Sequence, residues 1–202
     1  MTVPIIRLSD SGSSPTRILS GARWGLVPSW ASDLRIGNRM INARAETVAT
    51  TRSYRNAFAR RRCLVPADGW YEWHRSDTGG KQAFYFTPAD GGVLAFAGLW
   101  ETWGPDKMVT CTIVTTSALG EMRHIHDRMP LALSPDRWSA WLGEEPADDL
   151  LAPPDPDFLS GLEIRPVGPA VGNVRNNYPE LTHRVDPKAP TTPNPTTGST
   201  LF

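Results

Sequence analysis

Glu72 stands between Tyr71 and Trp73, shortly after Gly69, in residues 61–73 (RRCLVPADGWYEW). Aromatic rings around a carboxyl group lower the local dielectric and disfavour its charged form. Such a group keeps a proton near neutrality and suits general acid or base work. The same pattern arises when a strand points Glu outward between inward-facing aromatics, since successive side chains alternate faces. His126 opens residues 126–133 (HDRMPLAL), and an imidazole readily gives or takes a proton near pH 7. The other reading of His126 is a ring satisfied by backbone bonds at a strand start. His124 and His126 alternate and are expected to share a strand face; without a third ligand they make no metal site.

Asn42 and Arg44 alternate in residues 42–47 (NARAET). Facing one side, an amide and a guanidinium can hold a sugar or a phosphate. Equally, Arg44 can pair with Glu46 across a capped turn. Trp24 and Trp30, in residues 24–30 (WGLVPSW), can stack on bases or fill a core. Cys63 and Cys111 are the only thiols. Cys63 follows three arginines, which favours a thiolate, yet both cysteines sit in apolar runs where cysteine is usually a small core residue. The sequence shows no phosphate-binding glycine loop, zinc spacing or serine elbow, and no metal or cofactor is expected.

These residues must be positioned by short elements. Apolar runs at 3–7, 24–28, 63–66, 69–73, 83–87, 93–100, 109–116, 129–133 and 162–167 are rich in Val, Ile, Phe, Tyr and Trp, and Gly, Pro, Asp and Ser bound them. They predict strands. Turn compositions at 76–81 (SDTGGK) and 104–107 (GPDK) predict hairpins of 70–74 with 82–87 and of 94–103 with 108–115. Helices are expected over 51–61, where Tyr54 and Phe58 share a face, and over 134–142, with Ser134 as cap, Pro135 in the first turn and Gly143 at the end. Residues 119–124 add a turn of helix. Residues 146–156 read as an acidic surface loop. The fold class is α+β: one strand-rich domain over 1–185 with a few short helices, followed by a disordered Pro/Thr-rich tail, 186–202.

The chain has 202 residues and no net charge, but the charge is unevenly spread. Between Arg17 and Arg75 there are 11 arginines and 4 acids, an excess of +7. Between Asp136 and Glu163 there are 8 acids and one arginine. The basic half can follow a phosphate backbone. No apolar run is long enough to span a membrane and no signal peptide is visible, so a cytoplasmic monomer is expected.

Residues 24–31 (WGLVPSWA), 41–47 (INARAET), 61–73 and 126–130 (HDRMP), in that order, with 172–181 (GNVRNNYPEL), together resemble the SRAP family of SOS response-associated peptidases, also called abasic-site processing proteins. The resemblance runs from about Val3 to Val185. It implies a domain built around a basic groove for single-stranded DNA, especially DNA with abasic sites. The family nucleophile is a cysteine exposed by removal of the initiator methionine; its amine and thiol close a thiazolidine on the ring-opened sugar. Carried over by motif, the resemblance implies Asn42, Glu72 and His126 as catalytic residues. It implies Trp24, Trp30, Arg44, Thr115 and Arg128 as DNA contacts. The family begins Met-Cys-Gly-Arg, whereas Thr2 follows Met1 here. The expectation is therefore of a chain that starts inside the family pattern without its nucleophile, for which the alternative function is a silent single-stranded DNA-binding module.

Overall fold

A computed structural model describes residues 1–9, 15–75, 80–143 and 146–186. The expected disorder of the tail lies outside these residues apart from Asp186, as does most of the predicted turn at 76–81.

Among the described residues ten strands and three short α-helices follow one another: β1 (Thr2–Leu8), β2 (Arg17–Trp24), β3 (Asn42–Arg44), α1 (Ala45–Val48), α2 (Arg55–Arg60), β4 (Arg62–Ala67), β5 (Trp70–Arg75), β6 (Lys81–Pro88), β7 (Leu94–Trp103), β8 (Met108–Ser117), β9 (Arg128–Pro130), α3 (Trp138–Leu142) and β10 (Leu162–Val167). Seven strands form one sheet in the order β2-β1-β4-β7-β8-β3, with β9 also on β8. The parallel pairing of β2 with β8, Arg23 opposite Thr110 and Trp24 opposite Cys111, closes five of them into a barrel. Closure removes the sheet edges that would otherwise recruit another chain. β7 and β8 are covered on both faces, which is why FAGLW and TIVT read as continuous apolar runs rather than alternating ones. The barrel is filled by Ile5, Cys63, Val65, Phe96, Trp100, Cys111 and Met129. Gly98 leaves room for this packing, since a Cβ there would lie 2.9 Å from Val65 and 3.0 Å from Cys63.

A second, three-stranded sheet, β10-β6-β5, packs against the barrel through Trp70 and Phe86, whose rings stack at 4.8 Å. Outside the barrel, Trp141 of α3 is fully buried and its indole donates to the Cys63 carbonyl at 2.9 Å. The buried Arg62 guanidinium fastens α2 and α3 together by donating to the carbonyls of Phe58, Trp141 and Gly143. Three carbonyls at helix ends thereby gain a donor.

Several expectations change. The strand placed over 24–28 is instead β2, which ends at Trp24; Gly25 then takes φ +114° and lies against the Gly37 backbone, a turn only glycine allows. The helix expected over 51–61 is α-helical only over Arg55–Arg60, after a turn. Ser134 precedes a 3-10 turn (Pro135–Arg137) and its side chain caps nothing. Of the strand at 129–133, Arg128–Pro130 pairs with β8 and Ala132 makes a single bridge to Phe96. His124 closes a 3-10 turn and His126 lies beyond it, outside any strand, so the two share no strand face.

Candidate functional site

The parallel pairing of β3 with β8 puts Asn42 opposite Ile113 and Arg44 opposite Thr115. Ala43 between them is buried, so Asn42 and Arg44 both point outward on one side, as the alternation predicts. The start of this short strand is pinned from two directions. The Trp24 indole donates to the Ile41 carbonyl at 2.8 Å, and the Tyr54 hydroxyl donates to the Asn42 carbonyl at 3.1 Å.

Glu72 lies in mid-β5, opposite Phe84 on β6, with its side chain 19% exposed. It takes no hydrogen bond from any described residue. Burial pushes its carboxyl up to about 7; the charge on a protonated His126 opposes the rise, and Asp127 adds to it. The group therefore exchanges a proton near neutrality, as the flanking aromatics suggest.

His126 reaches the site by a tight turn. The 3-10 segment Gly120–His124 ends at Ile125, the His126 amide donates to the Met122 carbonyl at 2.9 Å, and the Ala118 amide donates to the Asp127 carbonyl at 2.9 Å. Nδ1 of the ring lies 3.9 Å from Glu72 Oε2 and accepts from the Arg128 amide at 3.0 Å. An acid poised near neutrality and an imidazole thus stand face to face, although they come from elements 54 positions apart in sequence.

These groups open on one cavity of about 750 Å³, whose walls include Asn42, Arg44, Glu72, His126, Thr115, Arg128, Trp24 and Met1. Its floor is apolar: Trp70 stacks on Phe86 and meets Phe96 edge-on at 5.8 Å. The size suits one nucleotide unit or a sugar with its flanking phosphates. Among the described residues no cluster of His, Cys, Asp and Glu could hold a metal ion, and no helix is long and apolar enough to cross a membrane.

Trp30 stands apart from the cavity, half exposed, with the Arg52 guanidinium 4.8 Å above its ring. Thr115 is nearly buried, and its hydroxyl donates to the Ala43 carbonyl at 3.4 Å. The acid two positions after Arg44 pairs elsewhere: Glu46 takes both ends of the Arg128 guanidinium, at 2.6 and 3.0 Å. Cys63 and Cys111 are fully buried in the barrel. Burial pushes the Cys63 thiol well up, with only the charge of Arg7 opposing the rise, and the Cys111 thiol up to about 12. Sequence reasoning did not single out the role of Glu46, nor the cavity position of Trp70. Only the second carried a signal, its same-face spacing with Glu72.

A model of the family described as SOS response associated peptidase (SRAP) matches residues 1–174. The abasic site processing protein YoqW of Bacillus subtilis (strain 168) is 39% identical over 185 residues, covering 88% of this chain and 80% of that protein. The abasic site processing protein HMCES of Xenopus tropicalis is 33% identical over 199 residues, covering 85% of this chain and 58% of that protein. A crystal structure of a phage-related protein from Bordetella bronchiseptica superposes with a TM-score of 0.63 at 31% identity, covering 82% of this chain and 78% of that one. A protein from Bacteroides thetaiotaomicron shares the fold, with a TM-score of 0.75 at 24% identity over 92% of this chain and 82% of that one.

Proposed function

This chain belongs to the SOS response associated peptidase family, and on that premise we propose that it binds single-stranded DNA and processes abasic sites in it. The observation that carries the reading is Glu72, poised near neutrality 3.9 Å from His126 in a cavity wide enough for an abasic sugar. The ring-opened sugar presents an aldehyde. An amine adds to its carbon to give a carbinolamine; protonation of the hydroxyl and loss of water then leave an imine. Glu72 supplies that proton, and His126 takes the proton then lost from nitrogen and passes it back to the carboxylate. Asn42 orients the sugar, Arg44 holds a neighbouring phosphate, and Trp24 walls the cavity against a base. In the complete family chemistry a thiol on the same residue then adds to the imine carbon, its proton passing to nitrogen, and closes a thiazolidine. The same carboxyl activates water for release of the initiator methionine, which makes the activity that of a peptidase as well. The protein acts as a cytoplasmic monomer, on the nucleoid when bound to DNA.

The 202-residue polypeptide carries Thr2 after Met1, and its cysteines are sealed in the core. A thiazolidine needs amine and thiol on one residue, and internal cysteines have acylated nitrogens. The test is to incubate this polypeptide with abasic single-stranded DNA and resolve the products on a denaturing gel. No heat-stable band is expected, but borohydride should trap an imine on the chain-terminal amine, since Met1 lines the cavity. A segment beginning Met-Cys-Gly-Arg, placed ahead of the chain, should give the stable band. A heat-stable adduct from the 202-residue polypeptide alone would overturn this assignment of the nucleophile.

The burial of both thiols favours a second reading, a silent single-stranded DNA-binding module. Both readings require binding that weakens steeply with salt, because arginine–phosphate contacts release counterions. They differ in the trapped imine, which the silent module would not form.

A further inference from the structure

Asn42 meets the cavity with nothing holding its side chain: it is exposed, and its carboxamide makes no hydrogen bond with a described residue. A group held by no neighbour takes its aim from its own backbone. That backbone belongs to β3, three residues long and lying at the end of its sheet, paired with β8 alone. The β8 side is secure. The Ile113 amide donates to the Ile41 carbonyl at 3.1 Å, and the Thr115 hydroxyl donates to the Ala43 carbonyl at 3.4 Å. Successive carbonyls of a strand point to opposite sides, so the Asn42 carbonyl between these two faces the unpaired edge. There the Tyr54 hydroxyl donates to it at 3.1 Å. Tyr54 is itself fixed. Its ring is partly buried against the core that holds Phe58 and Trp141, and its carbonyl accepts from the Phe58 amide at 2.8 Å, in the first turn of α2. Burial pushes the hydroxyl above its usual range, so it stays a donor wherever the protein works.

Resting on the abasic-site reading above, we propose that Tyr54 is a positioning residue that acts through Asn42. Its hydroxyl holds the free edge of β3 and so fixes the direction from which the Asn42 carboxamide meets the sugar. Without the hydroxyl, water takes the Asn42 carbonyl and the peptide is free to rock about its bonds to β8. Affinity for the strand does not depend on this brace, because Ala43 and Arg44 keep their register on β8. What falls is the share of bound strands whose sugar is held in line for the amine. One neutral hydrogen bond sets the scale, about 2–10-fold in rate.

The experiment compares wild type, Tyr54→Phe, Asn42→Ala and the double variant on a fluorescent oligothymidylate with one abasic site. Affinity is read by anisotropy, and the rate of the borohydride-trapped imine is read at saturating DNA. Tyr54→Phe should keep the wild-type affinity within about twofold and slow the imine about 2–10-fold. Asn42→Ala should slow it further. The double variant should be no slower than Asn42→Ala alone, because the hydroxyl acts only through that side chain. Losses that multiply in the double variant, a Tyr54→Phe rate equal to wild type, or a rate loss matched by a loss of affinity would each overturn the proposal. A second measurement needs no reaction: NMR relaxation of the Asn42 side-chain amide in the free protein. That amide should grow more mobile in Tyr54→Phe while the backbone amides of β8 stay as in wild type. An unchanged amide would overturn the proposal even where the rate falls. If wild type traps no imine, the abasic-site reading itself fails, and the relaxation of the Asn42 amide then decides the role of Tyr54 by itself.

Discussion

Replacing Glu72 with Gln should make the protein more stable in mild base and no more stable in acid. The folded chain raises this carboxyl from the ordinary 4.5 to about 7, chiefly by burial. A raised acid favours the protonated folded state, so the wild type loses stability as pH climbs from about 4.5 through about 7. At about 1.4 kcal/mol per unit, the ceiling on that loss is about 3 kcal/mol. The carboxyl is 19% exposed, and solvent screening reduces the cost, to about 1–2 kcal/mol. Glutamine has the same shape without the charge, and since Glu72 takes no hydrogen bond from a described residue, none is lost. At about pH 8 the variant should therefore melt about 3–6 °C higher than wild type, and at about pH 4 the two should coincide. Thermal unfolding followed by circular dichroism at both pH values decides the matter. Equal melting temperatures at both, or a less stable variant in base, would show that the site does not hold the carboxyl out of water, and the argument for a poised acid would fail. The same variant should still bind single-stranded DNA but form the trapped imine about 10²–10⁴-fold more slowly.

The thiols offer a second check: with both cysteines fully buried and their thiols pushed up, neither should react with a thiol-specific reagent until the protein unfolds, and prompt labelling of the native chain would contradict the barrel packing. Arg62→Met should destabilise by about 2–4 kcal/mol, read from urea denaturation, because the carbonyls of Phe58, Trp141 and Gly143 lose their donor. A variant as stable as wild type would show that those helix ends hold without it.

The strands around the site were legible because their residues carry their own instructions. The runs at 83–87 and 162–167 fall inside β6 and at β10 since aromatic and β-branched residues favour a pleated, packed surface. The GPDK turn joins β7 to β8 because those residues fit a tight reversal. Alternation put Asn42 and Arg44 on one side of β3, and the rings beside Glu72 announced a carboxyl held near neutrality. Local chemistry of this kind acts between neighbours, so a sequence records it. The boundary at Trp24 was misread because a turn there depends on the Gly25 backbone meeting Gly37, a distant contact. The partner of Arg128 was likewise beyond reach. Glu46 lies two positions from Arg44 in the chain, and only the packing of β9 and α1 beside β8 sends it to Arg128 instead. Residue types and local periodicity determined which groups could do chemistry. Barrel closure decided which of them meet, because charge and hydrogen bonding act through space over a few ångströms, and the chain covers those distances only after folding.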